Sequence, residues 1–110
     1  MKTDELSSLK CKPCEGNVDT LDTSSAQKFL KKLSNGWYLN SHNHLENVMH
    51  FVNFRHTLNM VNKIAALAES EGHHPDLHIS YGKLTIEIWT HAINGLSEND
   101  FILASKIDKI

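Results

Sequence analysis

Between Phe54 and Ile88 the spacing of apolar residues changes once, from helical to alternating, so the chain must combine a long helix with strands. Phe54, Leu58, Val61, Ala65 and Ala68 recur at helical intervals, and Met60, Ile64 and Leu67 widen the stripe over more than three turns, with Asn53 placed to cap it. Beyond Pro75 the period is two. Leu77, Ile79 and Tyr81 alternate with His78 and Ser80, then Leu84, Ile86 and Ile88 with Lys83, Thr85, Glu87 and Trp89, which predicts two strands joined near Gly82. Upstream, Trp37 and Leu39 are parted from Leu45, Met49 and Phe51 by the polar run Asn40-Ser41-His42-Asn43, as in a hairpin. Thr23 or Ser24 is placed to cap a first helix running through Phe29, Leu30 and Leu33 and stopping before Gly36. Ser97 and Asp100, at capping-box spacing, open a last helix that carries Phe101, Ile102, Ala104 and Ile107. The order helix, strand, strand, helix, strand, strand, helix predicts an α+β fold, a four-stranded, mainly antiparallel sheet with three helices packed on one face.

A chain of 110 residues suffices for one core. Residues 1–22 are polar, carry Pro13 and Gly16 and show no sustained period, so they are expected to form a flexible arm before a single domain over 23–110. The formal net charge of −2 supplies no basic surface for a phosphate backbone, so nucleic acid is not an expected partner. No apolar run approaches the roughly 20 residues that cross a bilayer, and the first residues lack the apolar block of a secretion signal. A cytoplasmic protein with no membrane partner is expected. Cys11 and Cys14 form a single C-x-x-C, short of the paired spacings of a structural zinc site, and are expected to be solvated thiols.

The chain carries eight histidines, the side chain that titrates nearest neutrality. Most of His42, His44, His50 and His56 are assigned to solvated surface, and none of them is taken as a site residue. His73 and His74 sit at a helix-to-strand junction where side chains converge, and Pro75 biases His74 towards extended backbone, so the two rings are expected to point apart. That geometry is poor for two ligands on one metal and workable for two contacts to a flat substrate; no H-x-x-x-H helix motif or nearby Cys pair completes a metal set, and none is expected. Glu69, one turn before His73, is placed to orient its imidazole, and His91 is placed at the end of the last strand. Asp100 helps cap the last helix with or without a ligand, and Trp37 is a core residue with a stacking role as the alternative.

The string Glu71-Gly72-His73-His74-Pro75-Asp76, followed by Tyr81, Thr90-His91, Gly95-Leu96-Ser97 and Asp100, resembles the pterin-4a-carbinolamine dehydratase family. The resemblance reaches upstream to Gly36-Trp37, Phe51, Phe54 and Ala65-x-x-Ala68-Glu69 and covers about residues 23–110. Thr57, Met60 and Asn94 depart from it, standing where many members carry Ala, Phe and Gly.

The resemblance implies the same α+β fold, assembly into homodimers or homotetramers, and dehydration of 4a-hydroxytetrahydropterin to quinonoid dihydropterin and water. It places His73, His74 and His91 in catalysis and Glu69, Trp37 and Asp100 in binding or support. It also implies an aromatic amino acid hydroxylase in the same pathway and no cofactor beyond the pterin, which is the substrate. Hydroxide loss from the 4a carbon needs an acid, and departure of the ring-nitrogen proton needs a base, tasks suited to histidine. The competing expectations are a non-catalytic dimerisation or interaction cofactor of the same fold, a role implied by the animal branch of the family, a histidine-rich metal binder using Cys11 and Cys14, and a member serving a related pterin pathway.

Overall fold

A computed structural model describes residues 6–11 and 20–110. Helix α1 spans Thr23–Leu30, strands β1 and β2 span Trp37–Leu39 and Leu45–His50, and helix α2 spans Phe54–Glu71. Strands β3 and β4 span Asp76–Ile79 and Lys83–Ile88, a short 3-10 turn covers His91–Ile93, and helix α3 spans Glu98–Ile107. The four strands form one antiparallel sheet in the order β1-β2-β4-β3, so the α+β architecture expected from the periodicities is the one present.

Alternation decides which sheet face is covered. Leu84, Ile86 and Ile88 of β4 are fully buried, and in register with them stand Met49, Asn47 and Leu45 of β2, while Trp37 pairs with Asn47 at the edge. All of these side chains but Asn47 join Ile64 of α2 and Phe101, Ile102, Leu103, Ala104 and Ile107 of α3 in one core. The opposite face carries Tyr38, Glu46, Val48, Thr85 and Glu87, none of them buried.

Several elements differ from the sequence expectation in detail. The cap of α1 is Asp22, whose carboxylate accepts from the Ser25 amide, and neither Thr23 nor Ser24 fills that position. The helix ends at Leu30, but i to i+3 bonds from Lys32 to Phe29 and from Leu33 to Leu30 tighten the chain and still carry Leu33 into the core. Tyr81 lies in the β3–β4 turn, 69 % exposed, outside the strand that its spacing suggested. On α2 the buried positions are Thr57, Ile64 and Ala68, with Met60, Val61 and Leu67 half-buried, whereas Phe54, Leu58 and Ala65 are exposed. At about 100° per residue those three fall to one side of the Ile64 direction, and the stripe is wider than the surface packed against it.

Two of the departures from the family pattern acquire a physical reason. Thr57 is fully buried and its hydroxyl lies 3.0 Å from the carbonyls of both Asn53 and Tyr81, tying the first turn of α2 to the β3–β4 turn. Asn94 adopts φ 49°, a left-handed conformation that asparagine tolerates better than most side chains.

Of the first 22 residues, Leu6 is buried in the core and the Cys11 amide donates to Glu71 at 2.9 Å, with the Cys11 thiol 3.6 Å from the Asn99 carbonyl. Cys14 lies outside the described residues. No helix among the described residues is long and apolar enough to cross a membrane.

Candidate active site

Helix α2 ends at Gly72, whose φ of 67° turns the chain out of the helix while its amide still bonds the Ala68 carbonyl. A left-handed residue at this position redirects the backbone beyond it, and the His73 amide also reaches back to the Ala68 carbonyl. The two histidines then part company. His73 is 5 % exposed and turns inward, whereas His74 stays exposed.

Their acidic partners are not the ones that the spacing suggested. His73 Nε2 lies 2.6 Å from Asp100 Oδ1, and Glu69 Oε2 lies 2.6 Å from His74 Nε2. Glu69 therefore accompanies His74, because its side chain and that of His74 both point to solvent while His73 has turned away from the helix surface. Asp100 does two jobs at once. Its Oδ2 accepts from the Ser97 amide at 2.8 Å, completing the capping box of α3, and from the Thr90 hydroxyl at 3.0 Å, while Oδ1 takes His73. The Thr90 and Ser97 hydroxyls are themselves 2.8 Å apart, so Asp100, fully buried, sits in a closed polar knot.

His91 opens the 3-10 turn just beyond the end of β4, and is exposed. The Thr90–Gly95 bridge pins the two ends of this turn together, with Thr90 held from below by Asp100. His73, His74 and His91 all line one open cleft of about 300 Å³, together with Gly72, Pro75, Asp76, Trp89 and Ala92. The exit of α2 and the turn after β4, distant in sequence, thus deliver three imidazoles to one concavity, and its volume is at the lower end of the range of small-molecule sites, about 300–1,000 Å³.

Trp37 does not line that cleft. It is a core residue whose indole nitrogen donates to Asp108 Oδ1 at 2.8 Å, beside the Ser34 amide and hydroxyl on the same carboxylate. His44, which the sequence did not single out, is half-buried: its Nδ1 lies 2.8 Å from Glu87 Oε2 and its ring stacks on Trp89. The alternation of β4 placed Glu87 and Trp89 on one face, but the partner from the first hairpin carried no local mark. Burial pushes the Glu87 carboxyl up, and hydrogen bonds from Asn40 and His44 outweigh it and hold the group below the usual carboxylate range. Among the described residues no group of three or more His, Cys, Asp or Glu is arranged to hold a metal ion.

The sequence model of the family described as Pterin 4 alpha carbinolamine dehydratase matches residues 19–110. A Rickettsia canadensis protein provisionally named a pterin-4-alpha-carbinolamine dehydratase is 53 % identical over 103 residues, 94 % of each chain. A Nitrosomonas europaea protein of the same provisional name is 45 % identical, over 96 % of this chain and 93 % of its own. Among solved structures, a transcriptional coactivator/pterin dehydratase from Brucella melitensis superposes with a TM-score of 0.76 at 25 % identity, covering 83 % of this chain and 97 % of its own.

Proposed function

Because the chain belongs to the pterin-4a-carbinolamine dehydratase family, we propose that it dehydrates a 4a-hydroxytetrahydropterin to quinonoid dihydropterin and water, in the cytoplasm, by histidine acid–base chemistry. The observation that carries this reading is the convergence of His73, His74 and His91 on one cleft. Loss of the 4a hydroxyl needs a proton delivered to a poor leaving group. Formation of the C=N bond needs the proton on nitrogen 5 to depart, so one acid and one base complete the reaction, and proton exchange with water then resets the two groups. Both steps are proton transfers, and no metal or redox cofactor enters the proposal.

His73 and His91 divide that work. Asp100 holds the His73 ring through Nε2. His74, exposed and paired with Glu69, serves substrate binding. The test is a direct dehydration assay on a 4a-hydroxytetrahydropterin. The purified protein is expected to exceed the buffer rate, and His73→Ala or His91→Ala to lower kcat by about 10²-fold or more, with His74→Ala acting mainly on KM. A rate equal to that of buffer alone overturns the assignment.

The same reading includes a homodimer or homotetramer, supported by Val52, Phe54 and Leu58 exposed around the start of α2. That apolar face also favours the second reading, an interaction cofactor. Sedimentation of the purified chain tests the oligomer, and retention of the assembly with no dehydratase rate selects the second reading.

A further inference from the structure

The uncovered face of the sheet carries a column of flat rings that ends at the cleft. His44 lies 4.0 Å from Trp89 with the ring planes 4° apart, and Trp89 lies 4.1 Å from His91 at 10°. Both faces of Trp89 are therefore occupied, one by an imidazole from the first hairpin and the other by the imidazole at the cleft. His44 is in turn fixed at its far side. Its Nδ1 is 2.8 Å from Glu87 Oε2, the same oxygen receives Asn40 Nδ2 at 2.9 Å, and Asn40 Oδ1 accepts from the amides of His42 and His44 at 2.9 and 3.0 Å. The Asn40 amide also donates to Glu46 Oε1 at 2.8 Å, so β2 and β4 share the anchor.

His91 needs such a support. It is exposed, and it sits on a three-residue 3-10 turn closed by the Thr90–Gly95 bridge. An exposed side chain in that position loses rotamer freedom each time it acts, unless something already holds its plane. The indole is a large, rigid surface for the task, and its electron-rich face is as compatible with a charged imidazole as with a neutral one.

We propose that Trp89 and His44 are positioning residues for His91: His44, locked by Glu87 and Asn40, backs Trp89, and Trp89 sets the ring plane of His91 at the cleft. The inference rests on the reading that His91 acts on the substrate. It also bears on specificity. Since neither face of Trp89 is open, the substrate meets only the edge of the indole, and its flat ring is not stacked on that residue.

The test combines steady-state dehydration kinetics with proton NMR of the imidazoles in the intact protein. His44→Ala is expected to lower kcat roughly three- to tenfold with KM nearly unchanged, and Trp89→Leu by about tenfold or more. His44→Phe, which keeps a flat ring behind Trp89 without the bond to Glu87, is expected to restore most of the loss. In the wild type the His91 ring protons are expected upfield, under the ring current of Trp89, and to move towards free-imidazole positions in His44→Ala. Folded His44→Ala and Trp89→Leu variants with wild-type kcat, while His91→Ala is inactive, overturn the inference and leave the dehydratase reading standing. Wild-type kcat in His91→Ala removes His91 from the reaction and the inference with it. Unshifted His91 resonances in the wild type overturn the stack itself, whatever the rates.

Discussion

At the scale of single residues, burial separates two His–carboxylate pairs of equal length. His73–Asp100 and His74–Glu69 both measure 2.6 Å, but the first pair has side chains 5 % and 0 % exposed and the second 58 % and 77 %. Water competes for the exposed pair, so its contribution to stability is small, about 0–1 kcal/mol. Asp100 has no such substitute for its partners, because the Ser97 amide, the Thr90 hydroxyl and His73 all depend on it in a buried setting. Asp100→Ala is therefore expected to destabilise the domain by about 3 kcal/mol or more, from several groups left unsatisfied at about 1–3 kcal/mol each. Glu69→Gln is expected to leave the urea midpoint nearly unmoved. Equal midpoint shifts for the two variants would show that the knot around Asp100 is not structural. The sequence named both acids, but it paired Glu69 with the wrong histidine, since helical spacing assumes that the helix continues and Gly72 ends it.

Among the elements, the two hairpins meet at a contact that tolerates no side chain. The Phe51 amide donates to the Gly82 carbonyl at 2.8 Å, and a Cβ placed on Gly82 would stand 2.7 Å from the Phe51 carbonyl oxygen. That neighbour is backbone, so it moves only by bending the end of β2. Gly82→Ala is expected to cost about 1–3 kcal/mol as overpacking. Thermal unfolding checks it, and a melting temperature equal to wild type would mean that the hairpin ends have room to separate. Such a contact comes from the meeting of β2 and the β3–β4 turn, and Gly82 in the sequence marked only a turn. The element types themselves were legible because each rests on a local period. Their ends were less so: Asp22, Thr23 and Ser24 are all residues able to cap, and spacing does not single out Asp22 as the one that caps α1.

For the molecule as a whole, Glu71 is the tie between the start of the chain and the two longer helices. From the last residue of α2 its Oε1 accepts from the Cys11 amide at 2.9 Å, and its Oε2 meets Lys106 of α3 at 3.1 Å and Lys10 at 3.9 Å. Burial pushes its carboxyl up, and the Cys11 amide with Lys106 and Lys10 outweighs that and holds it below the usual range. A carboxyl whose folded pKa is depressed contributes stability above its unfolded value of about 4.3, and that contribution is lost as pH falls through the folded value. Glu87, depressed for its own reasons, acts in the same direction. Glu71→Gln is expected to be less stable than wild type at pH 7 and to lose less on acidification to about pH 3. Urea titrations at the two pH values measure this, and parallel losses in the two proteins would show that Glu71 is not the linked group.

The sequence alone determined the elements, their order, the α+β class and the family, because helical and alternating periods and the His73-His74-Pro75 string are properties of neighbouring residues. It also located the three histidines. Only the tertiary structure decided which groups they meet. Asp100 reaches His73 across 27 residues, His44 reaches Glu87 across 43, and Trp37 finds Asp108 across 71, at distances along the chain where no local period carries information. Those pairings were set by the register of β2 on β4, by the left-handed exit at Gly72 and by the seating of α3 on the core, and each of these is a property of the packed molecule.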